Sequence, residues 1–207
     1  MTILNVHLEP RRALVASNTQ GVYPGGAHNY AGKIFALPHA SAVLAGRGQV
    51  GIWFNIFADC VAAMTDLDGM AAGLARSAQQ RMAMCRAEAE REREKQMRQD
   101  EPLRLATEVS LVGWSPSRNE MVAHYCHVDN DGAVTLREMP DGIVSPWEYA
   151  WGEVPPCASR SEMVASARLQ VMHSERHYPG MGWLGDLTLC EITPESITFT
   201  SVKDFWK

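Results

Sequence analysis

Long apolar runs are missing from this chain. No stretch approaches the ~18 residues that a membrane-spanning helix needs, so no membrane partner is expected. The N-terminus has no basic segment followed by an apolar one, so no signal peptide is expected either. Charge of one sign is also scarce. Lys and Arg number 19 against 24 Asp and Glu, a formal net charge of −5, which leaves no electrostatic case for nucleic acid. Cysteine is sparse, with residues at 60, 85, 126, 157 and 190. An odd, scattered set speaks against a disulfide framework and for reduced thiols in a cytoplasmic protein. No Gly-x-x-x-x-Gly-Lys loop is present to cradle phosphate, and Cys and His do not recur at zinc-site spacing. No cofactor or metal is therefore expected.

What is present suits a globular protein. The chain has 207 residues, 46% of them hydrophobic and 21% charged, enough for one domain with a substantial core. No internal repeat, low-complexity segment or linker interrupts it, so residues 1–207 are read as a single domain.

The N-terminal part reads as short strands. Thr2 to Leu8 mixes β-branched and apolar residues over a strand-sized length, and Glu9-Pro10-Arg11-Arg12 is a turn. Ala13 to Ala16 runs apolar again. Gly21 to Gly32 is loop-like, and Lys33–Leu37 and Ser41–Ala45 are two further strands split by Pro38-His39. Gly46 and Gly48 end the last of them.

The period then changes. Val50, Phe54, Phe57 or Ala58, and Val61 recur every three or four residues, so a helix is predicted over 49–64 with that stripe as its apolar face. A second helix starts near Asp66 or Asp68, either of which can cap it. Met70, Leu74, Ala78, Met82, Cys85 and Ala89 mark its buried face. From Arg86 to Glu101 it becomes a charged, solvated arm, ended by Pro102. Strands are predicted at 107–115, 120–128 and 133–138, a third helix at 159–177, and a closing hairpin at 186–192 and 196–202. That order suggests an α+β fold of two antiparallel sheets packed face to face with helices outside.

Thr2 is where chemistry is expected. A hydroxyl at the start of a chain can use the chain's own α-amine as its base, provided Met1 has been removed. Several other candidates read as structural. His173 and His177 are a surface pair four apart on one helix face, in the wrong order for a zinc peptidase. His124 and Cys126 share one face of a strand, His127 the other. Trp147 to Trp151 reads as core or subunit interface.

The segments TILNVH, ALVASNTQ, AGKIF and AVLAGRG, followed by a helix, resemble the β subunits of proteasomes and their bacterial relatives, the N-terminal-nucleophile hydrolases. Asn18 lies 16 residues after Thr2, Lys33 lies 31 after it, and Gly46 follows at a matching distance. The resemblance implies a four-layer αββα sandwich. It implies that Thr2 is the nucleophile, that Lys33 tunes the amine, and that Gly46 supplies an oxyanion N–H. Leu44 becomes part of the wall of the substrate pocket, and Ser145 a supporting serine. Asn18 stands where the family carries an acid, so Asn18→Asp is expected to raise the rate. The stretch from Arg176 to Met181 lacks the family's Asp and Ser. The implied function is a threonine-type peptidase or amide hydrolase acting on a peptide or amide substrate. The alternative is a non-catalytic ring or shell component. Either way a homo-oligomer, a ring or a stacked ring, is implied.

Overall fold

Strand β1 (Leu4–Glu9) alternates, so that Leu4 and Val6 face one side of the sheet and Asn5 the other. Pro10-Arg11 turns it into β2 (Arg12–Asn18), in a register that pairs Leu4 with Ser17 and Glu9 with Arg12. Ile3 thereby falls opposite Asn18. The chain is represented by a computed structural model, which describes residues 2–22, 28–30, 32–96, 105–146, 151–177 and 185–206.

The later strands are β5 (Ile34–Leu37), β6 (Ala42–Gly48), β7 (Thr107–Ser115), β8 (Glu120–Val128), β9 (Val134–Glu138), β10 (Ile143–Ser145), β11 (Leu187–Ile192) and β12 (Ile197–Val202). The helices are α1 (Val50–Ala63), α2 (Leu67–Gln96) and α3 (Arg160–His177). One five-stranded sheet has the order β10-β1-β2-β11-β12, and the other has β5-β6-β7-β8-β9. All their pairings are antiparallel. The fold is α+β.

Three apolar clusters hold these elements. Leu4, Val6, Val15 and Cys190 of the first sheet share a cluster with Val43, Ala45, Val112 and Ala123 of the second. Leu44, Val109, Leu111 and Cys126 pack with α1 and with Met70, Leu74, Ala78 and Met82 of α2. Ile3, Leu14, Ala16 and Leu189 pack with Met163, Ala167 and Val171 of α3. Each buried Leu, Ile, Val or Met contributes about 1.5–3 kcal/mol over its exposed state. A buried polar pair lies beside the third cluster. Asn5 and Gln170 exchange amide hydrogen bonds of 2.9 and 3.0 Å, and Gln170 Nε2 also donates to the Pro146 carbonyl at 3.2 Å. That pair ties α3 to β1 and to the chain just after β10.

Three readings need correction, and one open choice is settled. The stretch 21–32 is not all loop, because β3 (Gln20–Val22) and β4 (His28–Tyr30) form a two-stranded ribbon. Strand β10 was not foreseen: three residues before a proline carry too little pattern. Helix α1 buries Ile52, Trp53, Ile56 and Cys60, whereas Val50, Phe54 and Val61 of the predicted face are exposed. Both sides of α1 are apolar, so the period alone could not choose the inner one. In α2, Leu67 opens the helix and Asp66 accepts the Gly69 N–H at 2.9 Å, which decides between the two candidate caps. Residues 97–104, with the end of the charged arm and Pro102, lie outside the described residues, as do Met1, Trp147 to Ala150 and 178–184.

Candidate active site

The end of the inter-sheet space where β1 begins is polar. Thr2 lies two residues before Leu4, on the side of β1 that faces the second sheet. Lys33, at the start of β5, is 6% exposed and sets its Nζ 2.9 Å from Thr2 Oγ1. Asn18, 1% exposed at the end of β2, accepts the Ile3 N–H at 2.8 Å through Oδ1. The same oxygen lies 3.5 Å from Lys33 Nζ. Ser17 Oγ donates to the Ile3 carbonyl at 2.8 Å, so the main chain just after Thr2 is held on both its N–H and its C=O.

The two sheets thus bring Thr2, Asn18 and Lys33 together from positions up to 31 residues apart. Burial, and then the Arg47 guanidinium, push Lys33 down to about 7 from an ordinary 10.5. Near neutral pH a large share of Lys33 is therefore the free amine. In that form the 2.9 Å separation lets the Thr2 hydroxyl donate to Nζ. The Asn18 oxygen can still accept an N–H from the neutral amine. A carboxylate in its place would instead favour the ammonium, whereas the neutral amide of Asn18 does not.

The remaining predicted residues separate. Gly46 N–H donates to the Lys33 carbonyl at 3.1 Å, so the donor assigned to an oxyanion is already engaged in holding Lys33. A Cβ at Gly46 would lie 2.7–3.0 Å from Trp53, which explains the glycine by packing. Leu44 is 0% exposed and belongs to the cluster beneath α1. Ser145 does face the site end, and its hydroxyl takes a hydrogen bond from Arg47 across the sheets. Arg47 also reaches Glu108, with Nε 3.4 Å from Oε2. Arg47 and Glu108 were not foreseen. Arg47 reads as the middle of a Gly-Arg-Gly turn, and Glu108 as one polar residue of a strand.

The other candidates fall elsewhere. Both imidazoles of the α3 pair stack on the Trp151 indole, His173 at 5.3 Å and His177 at 6.0 Å between ring centres. Among the described residues no group of three or more His, Cys, Asp and Glu is placed to hold a metal ion. No described helix is long and apolar enough to cross a membrane. All five cysteines are free thiols, and burial raises those of Cys60, Cys126 and Cys190.

In fold, the chain is similar to Anbu. One such solved structure is the Gly-1 mutant of Anbu from Hyphomicrobium sp. strain MC1. The likeness has a TM-score of 0.62 at 13% identity, and covers 98% of this chain and 87% of that one. No protein-family model matches the chain, and no curated protein matches it. The assignment to the proteasome β subunits, read from four N-terminal segments, therefore does not hold. At this identity the likeness is one of fold alone.

Proposed function

We propose that this protein is a threonine-dependent amide hydrolase or peptidase in which Lys33 serves Thr2 as general base. The observation that carries the reading is the 2.9 Å contact between Thr2 Oγ1 and a buried lysine amine pushed down to about 7. The proteasome-like fold of the structural neighbour supports a hydrolase of this kind. In the proposed reaction Thr2 Oγ attacks the amide carbonyl while its proton passes to Lys33 Nζ. Lys33 returns that proton to the departing amine, leaving an ester on Thr2. Water, deprotonated by the same lysine, then hydrolyses the ester. Asn18 orients both Ile3 and Lys33, Gly46 fixes Lys33 through the main chain, and Ser145 anchors the neighbouring strand. Leu44 packs under α1, on the face of β6 opposite Val43 and Ala45, and bears on the site only through that strand.

The architecture proposed with this function is a single domain over 1–207 in four layers, αββα, which the three apolar clusters support. A cytoplasmic homo-oligomer, a ring or a stacked ring, completes the proposal. Val50, Phe54, Val61 and Met64 favour assembly, since they lie 54, 51, 42 and 73% exposed along and just beyond α1.

The test is acylation of Thr2 by a β-lactone, located by peptide mass spectrometry. Two forms are compared, one beginning at Met1 and one at Thr2, each verified by intact mass. A lysine base predicts a Thr2 ester in both forms and its loss in Lys33→Ala. Labelling confined to the form that begins at Thr2 assigns the base to the α-amine instead. If neither form is labelled, and Asn18→Asp is also inert, the hydrolase reading fails and a ring or shell component takes its place.

A further inference from the structure

Arg47 stands where the two sheets meet at the site, and nothing in the proposed reaction uses it. Its side chain leaves β6 on the face that carries Val43 and Ala45, between the sheets. It donates to the Ser145 hydroxyl on β10, the strand that pairs with β1. On its other side it meets the Glu108 carboxylate of β7 at 3.4 Å. One guanidinium therefore spans from the sheet that carries Lys33 to the sheet that carries Thr2. We propose that Arg47 is a positioning residue, clamping β6, whose Gly46 holds the Lys33 main chain, against β10, which pairs with β1, and placing a positive charge near the lysine. The proposal rests on the hydrolase reading for its catalytic consequence, but not for its effect on Lys33.

Three physical features support it. The first is shape: a planar fork can hold a hydroxyl and a carboxylate at once, whereas an ammonium is a point charge. The second is burial. The Arg47 and Glu108 side chains keep 23 and 18% of their exposure, so solvent screens them less than a surface pair. The third is the charge inventory. Lys33 faces the Thr2 hydroxyl and the Asn18 amide, both uncharged. Glu108 lies between Arg47 and the Tyr125 phenol of β8, and Arg137 of β9 covers the Tyr125 ring at 5.1 Å. Burial and the Glu108 carboxylate both push Tyr125 up, so it stays neutral. Among these described groups Arg47 is the cation that acts on Lys33, and like charge disfavours the ammonium.

The test reads Lys33 directly. The chain has four lysines, at 33, 95, 203 and 207, so side-chain-labelled lysine gives four NMR signals, with Lys33 assigned by its loss in Lys33→Met. Lys33 is expected to titrate near 7 in the wild type. Arg47→Met is expected to raise that point by roughly one pH unit and lower the plateau rate of Thr2 labelling. Arg47→Lys keeps the charge but loses the fork, so the titration point holds and the plateau falls severalfold. Ser145→Ala, which removes the cross-sheet bond alone, behaves like Arg47→Lys. An Arg47→Met variant unchanged in both titration point and plateau overturns the proposal. If that variant fails to fold, unchanged plateaus in both Arg47→Lys and Ser145→Ala overturn it. If Thr2 is never labelled while Arg47→Met still moves the Lys33 titration, the hydrolase reading has failed and the assignment of Arg47 to Lys33 stands.

Discussion

Asn18→Asp separates a lysine base from an amine base. Asn18 Oδ1 is 3.5 Å from Lys33 Nζ and is 1% exposed, so an aspartate there faces the amine at close range with little screening. An opposite charge at that distance shifts a titration by roughly 1–3 pH units toward the charged form. Lys33, pushed down to about 7 by burial and Arg47, would move to about 8–10. At pH 7 the neutral fraction falls from about half to between about a tenth and a thousandth, so labelling of Thr2 slows by roughly fivefold to several hundredfold. The rate recovers at alkaline pH, because the aspartate changes the proton affinity and not the geometry. The Ile3 N–H keeps its acceptor, so the main chain beside Thr2 stays in place. The assay is the rate of Thr2 ester formation from pH 5 to 10 in both proteins. A rate at pH 7 that is equal or faster in Asn18→Asp refutes the lysine base.

Stability carries the same signature. The folded Lys33 titrates near 7 and the unfolded one near 10.5, so between those values the unfolded chain binds the extra proton and stability rises with pH. The full rise is up to about 5 kcal/mol at ~1.4 kcal/mol per pH unit. The buried thiols act oppositely above their ordinary range, so the measurement is the difference between wild type and Lys33→Met in urea unfolding at pH 7 and 9.5. A pH dependence identical in the two proteins rules the effect out. Gly46→Ala forces a methyl to within 2.7–3.0 Å of the Trp53 side chain. The expected loss is about 1–3 kcal/mol, read as a lower urea midpoint at unchanged slope. Phe54→Glu places a charge on the exposed apolar stripe of α1, and light scattering should report a smaller species with an unchanged circular dichroism spectrum. A Phe54→Glu protein of unchanged mass removes that stripe from the assembly.

Much of the architecture was legible in the sequence, because local period and turn chemistry are local facts. Strands β7 and β8 and the Pro10-Arg11 turn follow from alternation and from residues that favour turns. Helix α2 follows from Met70, Leu74, Ala78 and Met82 on one stripe. Thr2, Asn18 and Lys33 could be singled out by spacing, yet spacing carried neither their protonation nor the membership it suggested. What tertiary structure alone decided is whatever depends on which surface lies opposite. The inner face of α1 is set by Phe35, Leu44 and the α2 side chains it meets, since Val50 and Phe54 are as apolar as Ile52 and Ile56. Gly46 became a support for Lys33 because strand pairing used its N–H. Lys33 lost proton affinity because the fold removed water from an amine and set Arg47 near it, a pairing of residues from two strands that no local pattern encodes. A sequence fixes which groups a chain has, but proton affinity depends on the dielectric and the charges around a group, and these exist only once the sheets have closed on each other.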